Sequence, residues 1–367
     1  MITILCAGSR GDYQPYIALA RQLKKCGKDV RITASKSFEP FILNYGIDVF
    51  PIQADIATLN IDPKLLRDAG SADNPFKMLL TFNKMKDYGI HMAQDYYNAC
   101  IDSELIIYHP GVTIEFFAAQ KLGIPSVLAS PFPMHKTKEY LSVVMYGKSK
   151  MNPFNLKLSY TMIQGMLWLA SSSSLKTFWK KQFGNLPESF GKPYEKHTDK
   201  KHPTIISCSN HIFKRPDDWN SHIYQNGYWF IEESPDYMPP YELEQFLEAG
   251  ETPIYIGFES ITMTDHLESL GAIVVEALMK AGKRGIISGM GIPKNKTDQI
   301  YVIDNIPHTW LFEHVAAVCH HGGAGTSAAG FRAGVPSIII PFSNDQFAWA
   351  HRASDCAKII LSTLEIS

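Results

Sequence analysis

Short apolar runs alternate with amphipathic segments along the first half of the chain. Residues 2–6, 105–108 and 125–129 have the length and apolar composition of buried strands. Residues 16–26 and 114–122 have the spacing of apolar positions that predicts helices packed on one face. This alternation is typical of a parallel, doubly wound α/β sheet. Further strands are predicted at 29–33, 49–52 and 204–208, a short helix at 38–45, and helical structure at 63–98.

The second half shows the same alternation without repeating the sequence. Before it, residues 232–250 begin with a polar, proline-rich stretch that suits a linker. We therefore predict two Rossmann-like domains, 1–231 and 251–367, joined by this linker. Two such domains facing each other would leave a central cleft at the carboxyl ends of the strands, where ligands bind in open α/β sheets. Strands are predicted at 253–258, 285–288, 300–303, 315–319 and 335–340, and helices at 267–281, 309–314, 326–333 and 345–355.

Residues 136–179 are less regular, with Met, Phe and Trp among Ser and Lys. Two helices with an apolar face fit this composition. Their apolar side chains either pack in the core or form an adaptable wall for a lipophilic ligand.

The composition narrows the class of protein. The chain has 367 residues, of which 45% are apolar, and this is enough for two domains with sizeable cores. A net charge of −1 gives no reason to expect a nucleic-acid partner. The six cysteines are scattered, so neither a metal site nor a disulfide framework is predicted. With no recognisable signal peptide or spanning segment, we expect a cytoplasmic protein.

The most distinctive stretch is HHGGAGT at 320–326, between a predicted strand and a predicted helix. A glycine-rich turn of this kind directs backbone N–H groups and the positive end of a helix dipole to one place, which suits a phosphate. Further on, a strand exit ends in Asp345 and Gln346, which are able to bind sugar hydroxyls. The alternative is a helix that simply packs tightly on the sheet.

The first strand leads into Gly-Ser-Arg-Gly-Asp at 8–12. These glycines lack the GxGxxG spacing of dinucleotide sites, so NAD is not implied. Asp12 is a candidate general base for an attacking hydroxyl, because it follows the first strand at the carboxyl edge of the predicted sheet. It is equally a candidate N-cap of the following helix, and one residue can serve both roles.

Five separated motifs resemble the sterol and antibiotic glucosyltransferase branch of glycosyltransferase family 1. The resemblance covers nearly the whole chain, and the motifs occur in the order found in that family. It implies the GT-B architecture, with the acceptor on the N-terminal domain and most of a UDP-sugar on the C-terminal one. It also implies a metal-independent reaction that inverts the anomeric carbon. The motifs are GSRGDYQPY at 8–16, RPDDW at 215–219 with GYWF at 227–230, IPHTWLF at 306–312, HHGGAGT at 320–326, and Asp345-Gln346.

The resemblance also implies roles for single residues. Asp12 would be the general base for the acceptor hydroxyl. His320, with Gly325 and Thr326 at the helix start, would hold the diphosphate and stabilise the negative charge of the leaving UDP. The UDP-sugar is a co-substrate, and no cofactor or metal ligand is implied. The other donor contacts would be Ser9 and Arg10 near the diphosphate, Ser260 in the first loop of the second domain, Ile306 and His308 at the uracil, and Asp345 and Gln346 on sugar hydroxyls.

Two features depart from the family pattern. The family usually has Gly-Phe-Gly-Ser where this chain has Gly-Phe-Glu-Ser at 257–260. If Glu259 points inward, its charge would weaken the binding of an anionic donor. Family members also continue past Gln346 with further helices, whereas this sequence ends at Ser367. We therefore expect an incomplete C-terminal domain with an exposed apolar patch near its end.

Two functional hypotheses follow. The first is a UDP-sugar-dependent glycosyltransferase, with glucose as the expected sugar and a sterol-like, polyketide or phenolic hydroxyl as acceptor. The second, motivated by Glu259 and the short C-terminus, is a non-catalytic protein of the same fold that binds UDP weakly or acts as a partner subunit. A UDP-sugar epimerase of the same fold fits the Gly-Ser-Arg-Gly-Asp segment less well. Peripheral membrane contact is compatible with a lipid-like acceptor.

Overall fold

The described residues divide into two compact units, Met1–Ile231 and Glu232–Ser367. Each unit is built around its own parallel sheet. The computed structural model describes residues 1–8, 10–53, 85–112, 114–143, 151–187, 190–191, 194, 198–232, 237–258, 267–293, 297–304, 306–342, 345–356 and 360–361.

The described strands of the first unit are β1 (Ile2–Leu5), β2 (Val30–Ser35), β3 (Asp48–Ile52), β4 (Leu105–Tyr108), β5 (Ser126–Ser130), β6 (Thr204–Ile206) and β7 (Ile223–Gln225). They lie in the order β3-β2-β1-β4-β5-β6-β7, and all of their pairings are parallel. The helices are α1 (Arg10–Lys25), α2 (Glu39–Leu43), α3 (Lys86–Cys100), α4 (Glu115–Leu122) and α5 (Pro153–Phe183).

β1 is buried along its whole length, which explains why it is apolar without alternation. Successive side chains of a strand point to opposite faces of the sheet. Ile4 therefore packs in one cluster with Ile17 of α1, and Leu5 packs in another with Phe117 of α4 and Trp179 of α5. The first unit thus has an apolar layer on each face of its sheet.

The second unit has the strands β8 (Ile254–Gly257), β9 (Gly285–Ser288), β10 (Ile300–Ile303), β11 (Ala317–His320), β12 (Ser337–Ile339) and β13 (Ile360–Leu361). They are all parallel, in the order β10-β9-β8-β11-β12-β13. The prediction of doubly wound parallel α/β structure is confirmed. The helices are α6 (Tyr241–Glu248), α7 (Leu267–Ala281), α8 (His308–Leu311) with a 3₁₀ turn at Phe312–His314, α9 (Ala324–Ala333) and α10 (Gln346–Cys356).

α1 begins at Arg10, although the sequence predicted a helix from residue 16. Pro15 lies inside α1, where it has no N–H and so removes one hydrogen bond close to the beginning of the helix. Asp12 lies inside the first turn, where a carboxylate interacts favourably with the helix dipole. The interpretation of Asp12 as an N-cap residue is therefore wrong.

α5 is a single helix of 31 residues, whereas two helices were predicted across 136–179. It begins with Pro153 after the N-cap Asn152, whose side chain accepts a hydrogen bond from the backbone N–H of Asn155 at 2.9 Å. Gly165 inside the helix does not end it. Residues 136–142 lie outside any helix.

Part of the predicted linker 232–250 packs into the second unit. α6 lies within it, and Leu243 and Phe246 of this helix are buried in a core cluster. At the start of the segment, both carboxylate oxygens of Glu232 accept hydrogen bonds from the guanidinium of Arg332 in α9, at 2.8 and 2.9 Å.

Two expectations fall on parts of the chain outside the description. Residues 54–84 contain most of the helical segment predicted at 63–98. The expected apolar patch near the C-terminus stays a prediction, because residues 357–359 and 362–367 lie outside the description. Within the described ranges, none of the helices combines the length and apolar character that crossing a lipid bilayer requires.

Glu115, the first residue of α4, places a carboxyl group in the apolar interior of the first unit. Its side chain is buried, and Oε2 has no hydrogen-bond partner among the described residues. Burial raises the pKa of this carboxyl well above its usual range, although the backbone N–H groups of Glu115 and Phe116 lower it. Folding therefore favours the protonated form of Glu115.

We expect Glu115→Gln to stabilise the protein increasingly as the pH rises from 4 to 8. In the unfolded chain this carboxyl ionises near pH 4.3, at about the usual value for glutamate. Above that pH the carboxyl stays protonated in the folded state but is ionised in the unfolded chain. The free energy of unfolding therefore falls by about 1.4 kcal/mol per pH unit until the pH reaches the folded-state pKa. Glutamine removes this loss. Urea unfolding of both proteins across this range measures it, and a difference independent of pH would contradict it.

Candidate donor and acceptor sites

Asp12 lies at the carboxyl edge of the first sheet, inside the first turn of α1. The chain passes from β1 to α1 through a turn at Gly8, whose φ is +126°. A Cβ atom at Gly8 would lie 2.3 Å from Oδ2 of Asp12. Because glycine has no side chain, the carboxylate of Asp12 can occupy this space. The Asp12 side chain is 34% exposed, which leaves it accessible to a substrate.

His109, which belongs to none of the sequence motifs, faces Asp12. It follows β4, the neighbour of β1, and its Nε2 lies 3.6 Å from Oδ1 of Asp12. Its Nδ1 accepts a hydrogen bond from the backbone N–H of Gly111 at 3.0 Å. The sequence held one signal for His109, its position directly after a strand. A polar residue there reaches the carboxyl edge, where ligand sites form in parallel sheets.

An apolar cavity of about 290 Å³ lies between α3, α5 and the loop after β4, the loop that begins with His109. Residues 110–112, directly after His109, form part of its wall. Tyr96 of α3 also lines it and donates a hydrogen bond to the carbonyl of Cys6 at 3.0 Å. The wall includes Met92 and Leu167, with hydroxyl groups from Ser171 and Ser174. The segment 136–179, for which a wall around a lipophilic ligand was one of two interpretations, thus contributes to a cavity together with part of the segment 63–98.

Arg10, expected near the diphosphate, begins α1 and lies over the ring of Phe41, with Cζ 4.8 Å from the ring centroid. A guanidinium over an aromatic face is a favourable cation–π contact. Ser9 lies outside the described residues.

In the second unit, His320 is the last residue of β11 and is completely buried. Its Nδ1 accepts a hydrogen bond from the backbone N–H of Gly322 at 3.0 Å, so the proton of the neutral ring is on Nε2. Nε2 has no partner among the described residues. Burial lowers the pKa of His320 to about 3, and the neighbouring His321 and His308 add to the effect. His320 is therefore a neutral donor, which a ligand reaches only if neighbouring groups move.

The turn after His320 and the beginning of α9 are formed by small residues. Gly322 has a φ of +90°, and a Cβ atom there would lie 2.8 Å from Ile339 Cγ2 and 3.1 Å from the carbonyl oxygen of Gln346. The N-cap Gly323 provides no side-chain hydrogen bond to the helix. Around Gly325, a Cβ atom would meet nothing within 4 Å. The first turn of α9, which contains Gly325 and Thr326, is therefore open and suits an anion.

The two residues predicted at a uracil ring belong to the segment around α8. His308 stacks on Phe312, with ring centroids 4.6 Å apart, and its Nε2 lies 3.1 Å from the hydroxyl of Tyr255. Ile306 is partly buried against a core cluster of the second unit. Ser260 and the unusual Glu259 lie outside the described residues.

Asp345 and Gln346, predicted to contact sugar hydroxyls, make local hydrogen bonds at the start of α10. Oδ2 of Asp345 accepts from Nε1 of Trp349 at 3.0 Å, and Oε1 of Gln346 accepts from the backbone N–H of Phe342 at 2.8 Å. These bonds fix both side chains. A carboxylate has about four acceptor positions, so Asp345 can accept further hydrogen bonds from hydroxyl groups.

We expect Gly322→Ala and Gly325→Ala to have opposite effects on stability. Alanine at 322 meets a left-handed backbone, which costs about 1–2 kcal/mol, in addition to the overlap with Ile339. Alanine at 325 enters open space in a helix and should be neutral or stabilising by about 0.5–1 kcal/mol. Urea unfolding of both variants tests this, and equal destabilisation would contradict the described turn.

Two family descriptions match successive parts of the chain. "Glycosyltransferase family 28 N-terminal domain" matches residues 2–141, and "Erythromycin biosynthesis protein CIII-like, C-terminal domain" matches residues 265–366. A sterol 3-beta-glucosyltransferase of Arabidopsis thaliana is 32% identical over 364 residues, which are 96% of this chain and 56% of that relative. A sterol 3-beta-glucosyltransferase of Emericella nidulans is also 32% identical, over 100% of this chain and 27% of its own length. The chain thus spans about a quarter to somewhat over half of these relatives.

Solved glycosyltransferase structures share the fold. The glycotransferase of kitacinnamycin has a TM-score of 0.64 at 17% identity, covering 100% of this chain and 86% of its own. The Streptomyces glycosyltransferase SsfS6, complexed with thymidine diphosphate, has a TM-score of 0.60 at 14% identity, with coverages of 98% and 87%. These likenesses confirm the GT-B fold. The matches of both parts of the chain, together with the sterol glucosyltransferase relatives and the shared fold, support a family 1 glycosyltransferase of GT-B architecture.

Proposed function

We propose that this chain transfers a sugar, expected to be glucose, from a UDP-sugar to a hydroxyl group of a lipophilic acceptor. The observation that carries the proposal is the partly exposed carboxylate of Asp12 in the same unit as an apolar cavity of about 290 Å³, whose wall includes the residues directly after His109. The sterol 3-beta-glucosyltransferases among the relatives support a sterol-like acceptor, with polyketide and phenolic compounds as further members of the same chemical class.

On the acceptor side, the cavity would bind the apolar body of the molecule, because removing apolar surface from water is favourable. The hydroxyl group would then lie at Asp12, which takes its proton as the oxygen attacks the anomeric carbon. One base is sufficient for a direct displacement with inversion, so a second catalytic carboxylate is not needed. The bond between the anomeric carbon and the diphosphate oxygen breaks as the new glycosidic bond forms.

On the donor side, the diphosphate gains negative charge as UDP leaves. The backbone N–H groups at Gly325 and Thr326, the dipole of α9 and the Nε2–H of His320 are the donors proposed to stabilise this charge. Because His320 is neutral, it would act as a hydrogen-bond donor and not as a cation. No metal or cofactor has a part in the proposed reaction.

The remaining donor contacts are also proposals. They rest on the motifs and on the family resemblance. Ser9 and Arg10 would lie near the diphosphate, Ser260 at the donor, Ile306 and His308 at the base, and Asp345 and Gln346 at the sugar.

One feature of the sequence favours a second candidate, a non-catalytic protein of the same fold that binds UDP weakly or acts as a partner subunit. Glu259 stands where the family usually has glycine, and it would bring a negative charge towards an anionic ligand. Activity and nucleotide affinity distinguish the two candidates.

We expect Asp12→Asn to lower kcat by about 10²- to 10⁴-fold, the usual contribution of a general base. The assay incubates the protein with UDP-glucose and hydroxylated sterols, polyketides and phenols, and identifies the product by mass spectrometry. The exposed Asp29→Asn serves as a matched control that should keep full activity. EDTA should not change the rate. Undiminished turnover by Asp12→Asn would remove Asp12 as the base.

We expect Gly325→Ala to weaken UDP binding by about tenfold, equivalent to about 1.4 kcal/mol, without loss of stability. Its methyl group would stand where the phosphate approaches the backbone of α9. Calorimetric titration of both proteins with UDP measures this effect. If the unsubstituted chain fails to bind UDP, the non-catalytic candidate is favoured. If the variant binds equally well, the phosphate lies elsewhere.

A further inference from the structure

We infer that His109 is a positioning residue for Asp12, with the N–H of its Nε2 directed towards the carboxylate that acts as the base. The inference rests on the proposed function, since a base matters only if a hydroxyl is deprotonated there. In many acid–base pairs the histidine is the base and the aspartate orients it, and here these roles are exchanged. The imidazole orients the carboxylate, and the carboxylate takes the proton.

The hydrogen bond at Nδ1 fixes this order. The backbone N–H of Gly111 donates to Nδ1 of His109 at 3.0 Å, so Nδ1 carries no proton. The proton of the neutral ring is therefore on Nε2, the atom that lies 3.6 Å from Oδ1 of Asp12. If the ring takes up a second proton, Nε2 still carries one. In both states the nitrogen facing Asp12 is a donor, so His109 cannot be the base.

The position of the ring is fixed by the surrounding backbone. The N–H of His109 donates to the carbonyl of Leu5 at the end of β1, at 2.9 Å, and its own carbonyl accepts from Val112 at 2.9 Å. The ring of Tyr16 contacts the imidazole edge-on, with centroids 5.8 Å apart. At Gly111, a Cβ atom would lie 3.0 Å from Nδ1, so glycine allows this turn to close against the ring. The donor is thus in place before any substrate binds.

A donor at this place has two consequences for Asp12. It orients the carboxylate, whose other oxygen lies over Gly8. It also stabilises the ionised form relative to the protonated one, since only the ionised form attracts an N–H strongly. We therefore expect that removing this N–H would favour protonation of Asp12.

Three other described titratable groups near Asp12 keep their charge state in an enzyme assay. Cys6 at the end of β1 and Tyr13 and Tyr16 on α1 all have a raised pKa, mainly because of burial, and the charge of Asp12 adds to the effect. They remain neutral over the range of an enzyme assay. Arg10, on the same helix, lies over the ring of Phe41.

Two substitutions separate the donor from the shape of the loop. The oxygen of asparagine in His109→Asn can accept from the Gly111 N–H, as Nδ1 does, but the side chain provides no donor towards Asp12. His109→Gln reaches further and provides an amide N–H near the position of Nε2. We expect His109→Asn to lower kcat/KM by about 10²-fold, the effect of a misplaced reacting group. We expect the acid limb of its pH profile to move to higher pH, and His109→Gln to reverse both changes in part.

The measurements use the full chain with the acceptor found for the unsubstituted protein, and urea unfolding verifies that each variant folds. In an Asp12→Asn background, His109→Asn should cause no further loss, because the two residues act as one unit. Ring ¹⁵N shifts in the unsubstituted protein should show the Nε2–H tautomer of His109, a result that does not depend on folding of a variant.

Three results would overturn the inference. They are an Nδ1–H tautomer, a His109→Asn variant with unchanged rate and pH profile, and a loss of rate without a pH shift or recovery in His109→Gln. Each of these leaves the proposed function intact. If instead the unsubstituted protein transfers no sugar to any acceptor, the proposed function fails, and the tautomer alone then tests the geometry of the pair.

Discussion

In each unit, the chain passes from an inner strand of the sheet into a helix through a glycine with left-handed backbone geometry. Both candidate sites depend on these two turns. Gly8 follows β1 with a φ of +126°, and Gly322 follows β11 with a φ of +90°. At each of them a side chain would meet strain and atoms already in place, the carboxylate of Asp12 in the first case and Ile339 in the second. Because the turn is so tight, the beginning of the helix comes directly to the carboxyl edge of the sheet.

The same local arrangement sets the tautomer of a histidine in each unit. His109 accepts a hydrogen bond from the N–H of Gly111, and His320 accepts one from the N–H of Gly322, so the acceptor and donor are two residues apart in both cases. In each ring the proton is thereby directed to Nε2. That nitrogen faces a carboxylate in the first unit, whereas in the second unit it is buried with no acceptor among the described residues. The same backbone N–H contact to Nδ1 thus directs an N–H towards a carboxylate in the first unit and leaves a buried donor available in the second.

The sequence predicted the architecture well, because strands buried on both faces leave continuous apolar runs that local patterns reveal. The helix at Leu267–Ala281 and the strands at Gly285–Ser288 and Ile300–Ile303 have the predicted bounds. The start of α1 was predicted at residue 16, because the prediction used the amphipathic pattern of residues 16–26, whereas the helix already begins at Arg10. His109 escaped notice because its relation to Asp12 exists only through the pairing of β1 with β4, which sets Leu5 opposite Tyr108. No spacing in the sequence encodes that register.

The wall of the apolar cavity includes Met85 and Met92, whose unbranched thioether side chains adapt to irregular shapes. His109 is held by comparison, since backbone hydrogen bonds join it to Leu5, Gly111 and Val112, and the carboxylate of Asp12 occupies the space that a side chain at Gly8 would fill. Under the proposed function, the adaptable methionines of the cavity would accept acceptors with many carbon skeletons. The fixed position of the base would select which hydroxyl group of the acceptor reacts. Regiochemistry, more than the outline of the acceptor, would then be the property that this enzyme controls.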